Sequence, residues 1–536
     1  MAAIPEIRII NGKKILFADE KPFYMLSGEI HNSSSSSMEF LEPIFDKLQG
    51  MHLNSVLLPV TWQMLEKEQG QFDYSLTDEI IASAEKHGLK LGLLWFGSWK
   101  NAQCSYAPEW VKRDTKTYFR AELQRGKPHI TRKSSPVISL PYSTISPFCE
   151  AAMKADANAF AHLMAHIRDT DTNRTVITVQ VENETGFLGG DMDYCDAALE
   201  KYAQDVPAEL VEYLSDRYTK LDSRLTDCFS LYGKGSWEQV FSSGAHEAFI
   251  AYYTAKYVEY VAASGKAEYP LPMSVNCWLD GEKGVPGKYP CGGPVAKVME
   301  IWQCAAPSVD IFAPDIYLTD FMGICDSFTK NGNPAYVPES KPCSLIPGRE
   351  LYIIGHHHGM CFSSFGVEDI GTETGPDLSI FAPIAGFAVS TKKTDPMKPE
   401  LYGKINSLMS GAMPVLAPLM GTDRMDAYAR EKHGLKKTFR FGDCALDITG
   451  LPFGPCKDSA ALIARTEDDE FVIINYGCIW SFRSVSKDKP YIQHLSIEEG
   501  RFEDGRWVTV RVLNGDEEML PGMGIAAYKI KINCFS

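Results

Sequence analysis

No Cys-x-x-Cys pair occurs in this chain, although its 14 cysteines are scattered from Cys104 to Cys534. That spacing excludes the common zinc and iron–sulfur patterns and reads as small apolar residues kept reduced. Long hydrophobic runs are lacking as well, and none approaches the roughly 18–20 residues of a membrane span. The opening Met1-Ala-Ala-Ile-Pro-Glu6 has neither the basic nor the apolar stretch of a secretory signal, so a cytoplasmic protein is expected. Runs of Lys and Arg are absent, and a formal charge of −16 with a pI near 5.3 argues against nucleic acid or an anionic membrane as partner. No Gly-rich phosphate turn follows an early strand, which argues against a doubly wound nucleotide-binding sheet.

What is present is ordinary globular composition, 45% apolar and 23% charged over 536 residues. A chain of this length exceeds one typical core, so a large domain and a smaller one are expected. Short strands around the Asn11-Gly12 turn come first. Phe23-Tyr-Met-Leu-Ser-Gly28 then reads as a core strand, followed by a helix capped by Ser37 and ended by Gly50. The alternation continues with strands at Ser55–Trp62, Leu89–Phe96, Val176–Val181, Leu271–Trp278, Val309–Tyr317, Ala335–Glu339 and Met360–Ser363. The helices between them are expected to open at Ser75, with capping-box spacing to Asp78, at Ser146-Pro147, and at Pro294. Eight such units predict a (β/α)₈ barrel with its active site at the strand C-terminal ends. Its boundaries are set at 1–395, with an insertion at about 187–265, a helical connector at 396–436 and a small β-sandwich at 437–536.

The run Val176-Ile-Thr-Val-Gln-Val-Glu-Asn-Glu184 is the chemical centre of this pattern. A buried strand ending in ionisable carboxylates normally aims them at a cleft, because burying them ionised is costly. Period-two alternation places Gln180, Glu182 and Glu184 on one face, with Glu184 nearest the mouth. Other strand ends bring Glu29 and His31, Trp62, Trp99-Lys100-Asn101, Asn276 with Trp278, Asp315 with Tyr317, and Glu339. Two carboxylates meeting at a barrel mouth suit glycosidic bond cleavage, one protonated to assist the leaving oxygen and one ionised to attack the anomeric carbon. Tyr317 is positioned to hold a carboxylate ionised, and Asn183 to hold the hydroxyl beside the reacting carbon. Trp62, Trp99 and Trp278 each offer a flat face for a pyranose, against the plainer reading of core packing. No metal and no cofactor are expected. His356-His357-His358 ends a helix starting near Arg349, and a tandem triplet cannot set three imidazoles on one helix face.

Ser27-Gly-Glu-Ile-His31, Gln180-Val-Glu-Asn-Glu184, Tyr289-Pro-Cys-Gly-Gly-Pro-Val-Ala296, Ala313-Pro-Asp-Ile-Tyr317 and Val337-Pro-Glu339 together resemble the glycoside hydrolase family 35 β-galactosidases, in particular a compact bacterial branch with a C-terminal β-domain. The resemblance implies a retaining mechanism with Glu184 as acid/base and Glu339 as nucleophile, acting on terminal β-galactosyl residues of small oligosaccharides or glycosides. The loop Trp95–Asn101 departs from the Gly-Pro-Tyr type of the larger enzymes, and residues 386–436 are less like the branch than their flanks. Loops decide substrate, so β-1,2-glucosyl transfer or cleavage on the same fold stays open beside galactoside hydrolysis, as does a catalytically silent sugar-binding protein. A homo-oligomer is also left open.

Overall fold

In the computed structural model, the described residues are 2–128, 130–134, 139–281, 284–318, 320–372, 395–451, 458–503, 505–519 and 524–536; residues 386–394 of the stretch less like the resembled branch lie outside them. Eight parallel strands run Met25–Glu29, Ser55–Thr61, Lys90–Phe96, Val176–Val181, Met273–Trp278, Ile311–Asp315, Tyr336–Val337 and Cys361–Phe362. Each of the eight apolar runs read from the sequence supplies one. Hydrogen-bonded neighbours follow chain order apart from the last pair, where the eighth strand joins the seventh to the first. The sheet closes between the sixth and seventh strands, where Ile316 pairs with Ser340 and the Ile316 N–H donates to the Glu339 carbonyl at 2.8 Å. The fold is a (β/α)₈ barrel.

The barrel interior is packed, with Met25, Leu57, Leu94, Ile177, Ile311, Ala313, Tyr336 and Cys361 in one cluster. Leu16 and Ala18 of the N-terminal hairpin, Glu6–Ile10 against Lys13–Ala18, belong to the same cluster and seal the end opposite the site. Asn11 and Gly12 both take left-handed backbone at its turn, the conformation a two-residue hairpin loop needs. The helix Met38–Gly50 is capped by Ser37, whose hydroxyl accepts from the Phe40 N–H.

Three helix starts differ from expectation. Ser75 is the first helical residue of Ser75–Lys86 rather than its cap; the preceding Asp73 accepts from the Ser75 N–H at 3.1 Å and makes the box redundant. Ser146 turns its hydroxyl to Asp193, and the helix begins later, at Glu150. Residues after Pro294 form turns before the helix Met299–Ala305. The insertion carries the long helix Ala245–Glu268, which packs on Glu150–Thr170 around Phe160, Gly265 and Met164.

Two antiparallel sheets of six and three strands form the C-terminal unit around Phe439, Leu446, Ile463, Phe471, Trp480 and Tyr528. The sandwich begins earlier than residue 437. Met425–Ala429, expected in the helical connector, pairs as a strand with Ala460–Arg465. The connector helix Pro399–Leu416 lies between the units, with Asn406 donating to the Met51 carbonyl on one side and Gly411 close against Phe502 on the other. The other cover on the six-stranded sheet is the barrel helix Ile346–Gly355, where Gly355 leaves room for Ala427. No helix among the described residues is long and apolar enough to cross a membrane.

Candidate active site

The strand Val176–Val181 stops one residue before its carboxylates, and the alternation expected through Glu184 stops with it. Glu182 and Glu184 both take left-handed φ, +61° and +45°, in non-glycine residues. Such conformations cost on the order of 1–3 kcal/mol each and persist only where the surroundings hold them. The surroundings here are specific. The Glu184 N–H donates to Asn276 Oδ1 at 2.9 Å, its carbonyl accepts from Ala102, and Asn101 donates to its carboxylate. Gly186 follows with φ +119°, and a Cβ there would stand 2.7 Å from the Cys291 carbonyl. The Tyr289–Ala296 stretch thus clamps the loop leaving Glu184, pairing Cys291 with Phe187.

Glu182 faces away from the mouth. Its Oε2 accepts the Trp99 N–H at 2.7 Å, and its carboxyl bonds to that of Asp156, itself held by the Trp95 indole and the Ser98 N–H. Burial, then mutual repulsion, pushes Glu182 well above the carboxylate range, so the two acids share a proton under the loop that carries Lys100 and Asn101. Asp156 was not singled out in the sequence; its only signal is an acid within the apolar face of Glu150–Thr170.

At the mouth, Glu339 accepts the Tyr317 hydroxyl at 2.7 Å, and Asn276 Nδ2 reaches Glu339 Oε1 at 3.5 Å. Asn276 therefore touches both glutamates, and also donates to Asp315 at 2.8 Å. Burial and the Glu339 charge raise Glu184 to about 7, against the opposing pull of Lys100, Asp315 and Asn101. Glu29 is fully buried with neither oxygen receiving a donor; burial, then Glu339, drives it well up, and in protonated form it donates to Glu339. Asp315 is raised in the same way by burial and by Glu339. Burial alone would lower Lys100, but Glu339, Glu184, Glu29 and Asp315 outweigh it and leave it above its ordinary value. Lys100 donates to Asn183 Oδ1 at 2.9 Å, which leaves Asn183 Nδ2 buried without an acceptor.

Glu29, Lys100, Asn101, Asn183, Asn276 and Tyr317 thus meet around Glu184 and Glu339, with Trp278 half-buried near them. Three expected binding residues do not offer what was expected. Trp62 is fully buried, edge-on to Trp110 with its N–H on Glu66, so neither face is free. Trp99 is buried against Tyr257, and its backbone does its work by receiving Asn183 and reaching Glu182. His31 points to the rim, with Nε2 at 2.6 Å from Asp369. Sequence position told which residues follow a strand but not which way each turns. A cleft of about 400 Å³ opens on the same face beside Asn32, Thr61 and Gln63.

Residues 32–243 match the family model Glyco_hydro_42, described as β-galactosidase. The match includes Asn183 and Glu184 and ends before Glu339. The expected assignment to family 35 is not supported: the matching family is 42. The motifs behind that expectation are strand-end residues serving the two carboxylates, and such sites recur on one fold across families. A second model, a domain of unknown function (DUF5597), matches 402–520.

Three solved structures, each 14% identical, are similar in part: β-galactosidases from Bacillus circulans sp. alkalophilus (64% of this chain, 50% of that one, TM-score 0.41), from G. stearothermophilus, a family 42 enzyme solved as a catalytic mutant (75%, 58%, 0.46), and from a Rahnella species (74%, 57%, 0.43). The chain spans between half and three fifths of their lengths. No curated protein matches.

Proposed function

We propose that the chain is an exo-acting retaining β-galactosidase in which Glu184 is the acid/base and Glu339 the nucleophile. The observation that carries this reading is the unequal setting of the two acids. Glu184 is held near pH 7, where it has a proton to give, while Glu339 receives donors from Tyr317 and Asn276 suited to an ionised oxygen. In the first step Glu339 attacks the anomeric carbon as the Glu184 proton passes to the departing glycosidic oxygen. In the second, Glu184, now ionised, takes a proton from water as that water's oxygen attacks the same carbon and the Glu339 ester bond breaks. Protons and electron pairs balance without a metal or nucleotide.

Asn183 Nδ2, buried and without an acceptor, is suited to the hydroxyl beside the reacting carbon. Trp278 is the remaining indole for the sugar's apolar side. The β-galactosidase description of the family matching 32–243 favours galactose in the reacting subsite. A panel of nitrophenyl β-galactoside, β-glucoside, β-xyloside and α-arabinopyranoside tests the substrate, and NMR of the first-formed anomer tests the mechanism. Preferred turnover of β-galactoside with retained configuration is expected. Preference for β-glucoside, with transfer to a sugar acceptor, would replace hydrolysis of galactosides by the glucosyl reading, and an inverted product would exclude the double displacement.

A further inference from the structure

Away from the mouth, Asp326, His356 and His357 each place a ligand-type atom within 4.8 Å of the other two. Asp326 lies on the helix Phe321–Phe328, and the histidines follow directly on the helix Ile346–Gly355. His357 Nε2 stands 3.3 Å from Asp326 Oδ1, close to the roughly 3.4 Å between two ligands on a tetrahedral zinc of about 2.0–2.1 Å bond length. That nitrogen is buried and has no hydrogen-bond partner, although the residue is only 8% exposed.

The second nitrogen of each ring is already engaged. His356 Nδ1 lies 2.8 Å from Asp426 Oδ1, and His357 Nδ1 lies 3.3 Å from Thr329 Oγ1. An imidazole tied at Nδ1 to a carboxylate or hydroxyl is oriented to ligate through Nε2, the arrangement that surrounds protein metal sites. The ammonium of Lys432 now neutralises Asp326, and Lys13 adds positive charge nearby.

We propose that Asp326, His356 and His357 form a structural site for a divalent transition-metal ion, zinc by its ligand class, with Asp426 and Thr329 orienting the two rings. Two nitrogens and one carboxylate oxygen suit zinc, with water at the fourth position. The sequence alone weighs the three histidines against one another; the third ligand comes instead from another helix. Because Asp426 belongs to the sandwich strand Met425–Ala429, the ion would tie the barrel to the C-terminal unit. It plays no part in the glycosidic chemistry.

The test uses full-length protein stripped by chelator and titrated with Co²⁺, with visible ligand-field absorption as the readout, followed by displacement with Zn²⁺. One equivalent is expected to bind and to raise the thermal midpoint as Zn²⁺ is added. Asp326→Asn and His356→Gln, at positions exposed enough to tolerate change, should each abolish the absorption, and Asp426→Asn should weaken it about 10–100-fold. Lys432→Ala removes the competing ammonium and should tighten binding, which keeps a test available if a ligand variant misfolds. Absence of binding at millimolar metal, binding that survives both ligand substitutions, or weaker binding in Lys432→Ala would each overturn the site.

Discussion

Tyr317 donates its phenol hydroxyl to Glu339 Oε2 at 2.7 Å. The strand that ends at Asp315 thereby delivers, two residues later, the group that fixes the orientation of a glutamate two residues beyond the next strand. A hydrogen bond to a charged group contributes about 1.5–3 kcal/mol. Tyr317→Phe should therefore lower kcat/KM by roughly 10–150-fold while leaving the fold intact. Steady-state kinetics on a nitrophenyl β-galactoside check this, and an undiminished rate would remove Tyr317 from the site's workings.

The two glutamates are distinguishable without a ligand-bound structure. Glu339→Ala should lose turnover of every substrate, with azide restoring activity and giving a product of inverted configuration. Glu184→Ala should still form the glycosyl-enzyme from a nitrophenyl glycoside, since that leaving group departs unprotonated. On a natural disaccharide it should lose about 10²–10⁴-fold, the usual value of general acid assistance. Azide should rescue it with retention. Reversed anomeric outcomes would exchange the two roles.

With Glu184 in the proposed acid role, an alkaline limit is expected. With Glu184 at about 7, kcat/KM should fall as pH rises through that value, because the proton needed by the leaving group is gone. Lys100 is one of the groups holding Glu184 down. Lys100→Met removes a cation that favours the ionised form, so the alkaline limb should move to higher pH even as the maximal rate drops. A pH–rate profile whose limb moves down, or stays, would show that another group governs it.

A stability prediction concerns Glu350, on the helix that packs against the sandwich. It is fully buried, neither carboxyl oxygen has a partner, and burial alone raises it to about 8 from an ordinary 4.5. A pKa raised by folding contributes stability that is complete below about 4.5 and is lost as pH rises through about 8. At pH 7 the loss is on the order of 3 kcal/mol, at about 1.4 kcal/mol per unit. Glu350→Gln should unfold at nearly the same denaturant concentration as wild type at pH 4.5 and at a higher one at pH 7.5. Parallel curves for the two proteins across that range would contradict the assignment.

The barrel was legible because each strand is a continuous apolar run bounded by a helix stop or a turn, as a sheet buried on both faces requires. Glu184 and Glu339 were legible as carboxylates that no apolar strand would otherwise end in. Side-chain direction was not. Trp62 and Trp278 both stand at strand ends, yet Trp62 starts a helical turn that buries its ring fully against Trp110, while Trp278 packs against the core and stays half-buried. The left-handed residues at 182 and 184 broke a period-two count that sequence pattern alone could not correct, and the family 35 expectation rested on short strand-end motifs, while the matching family model is 42.

The closure of the barrel at Ile316 and Glu339 has a consequence for how the protein would fail on heating. Among the described residues, one backbone bridge and the Asn333 side chain, which bonds the Phe312 N–H and carbonyl, join the strand ending at Asp315 to the two-residue strand ahead of Glu339, with no longer ladder. Should that seam breathe open, Glu339 and the phenol that donates to it would part together while the other strands stayed paired. Inactivation would then run ahead of the loss of secondary structure, so a thermal midpoint read by circular dichroism would overstate the temperature at which the protein can still work.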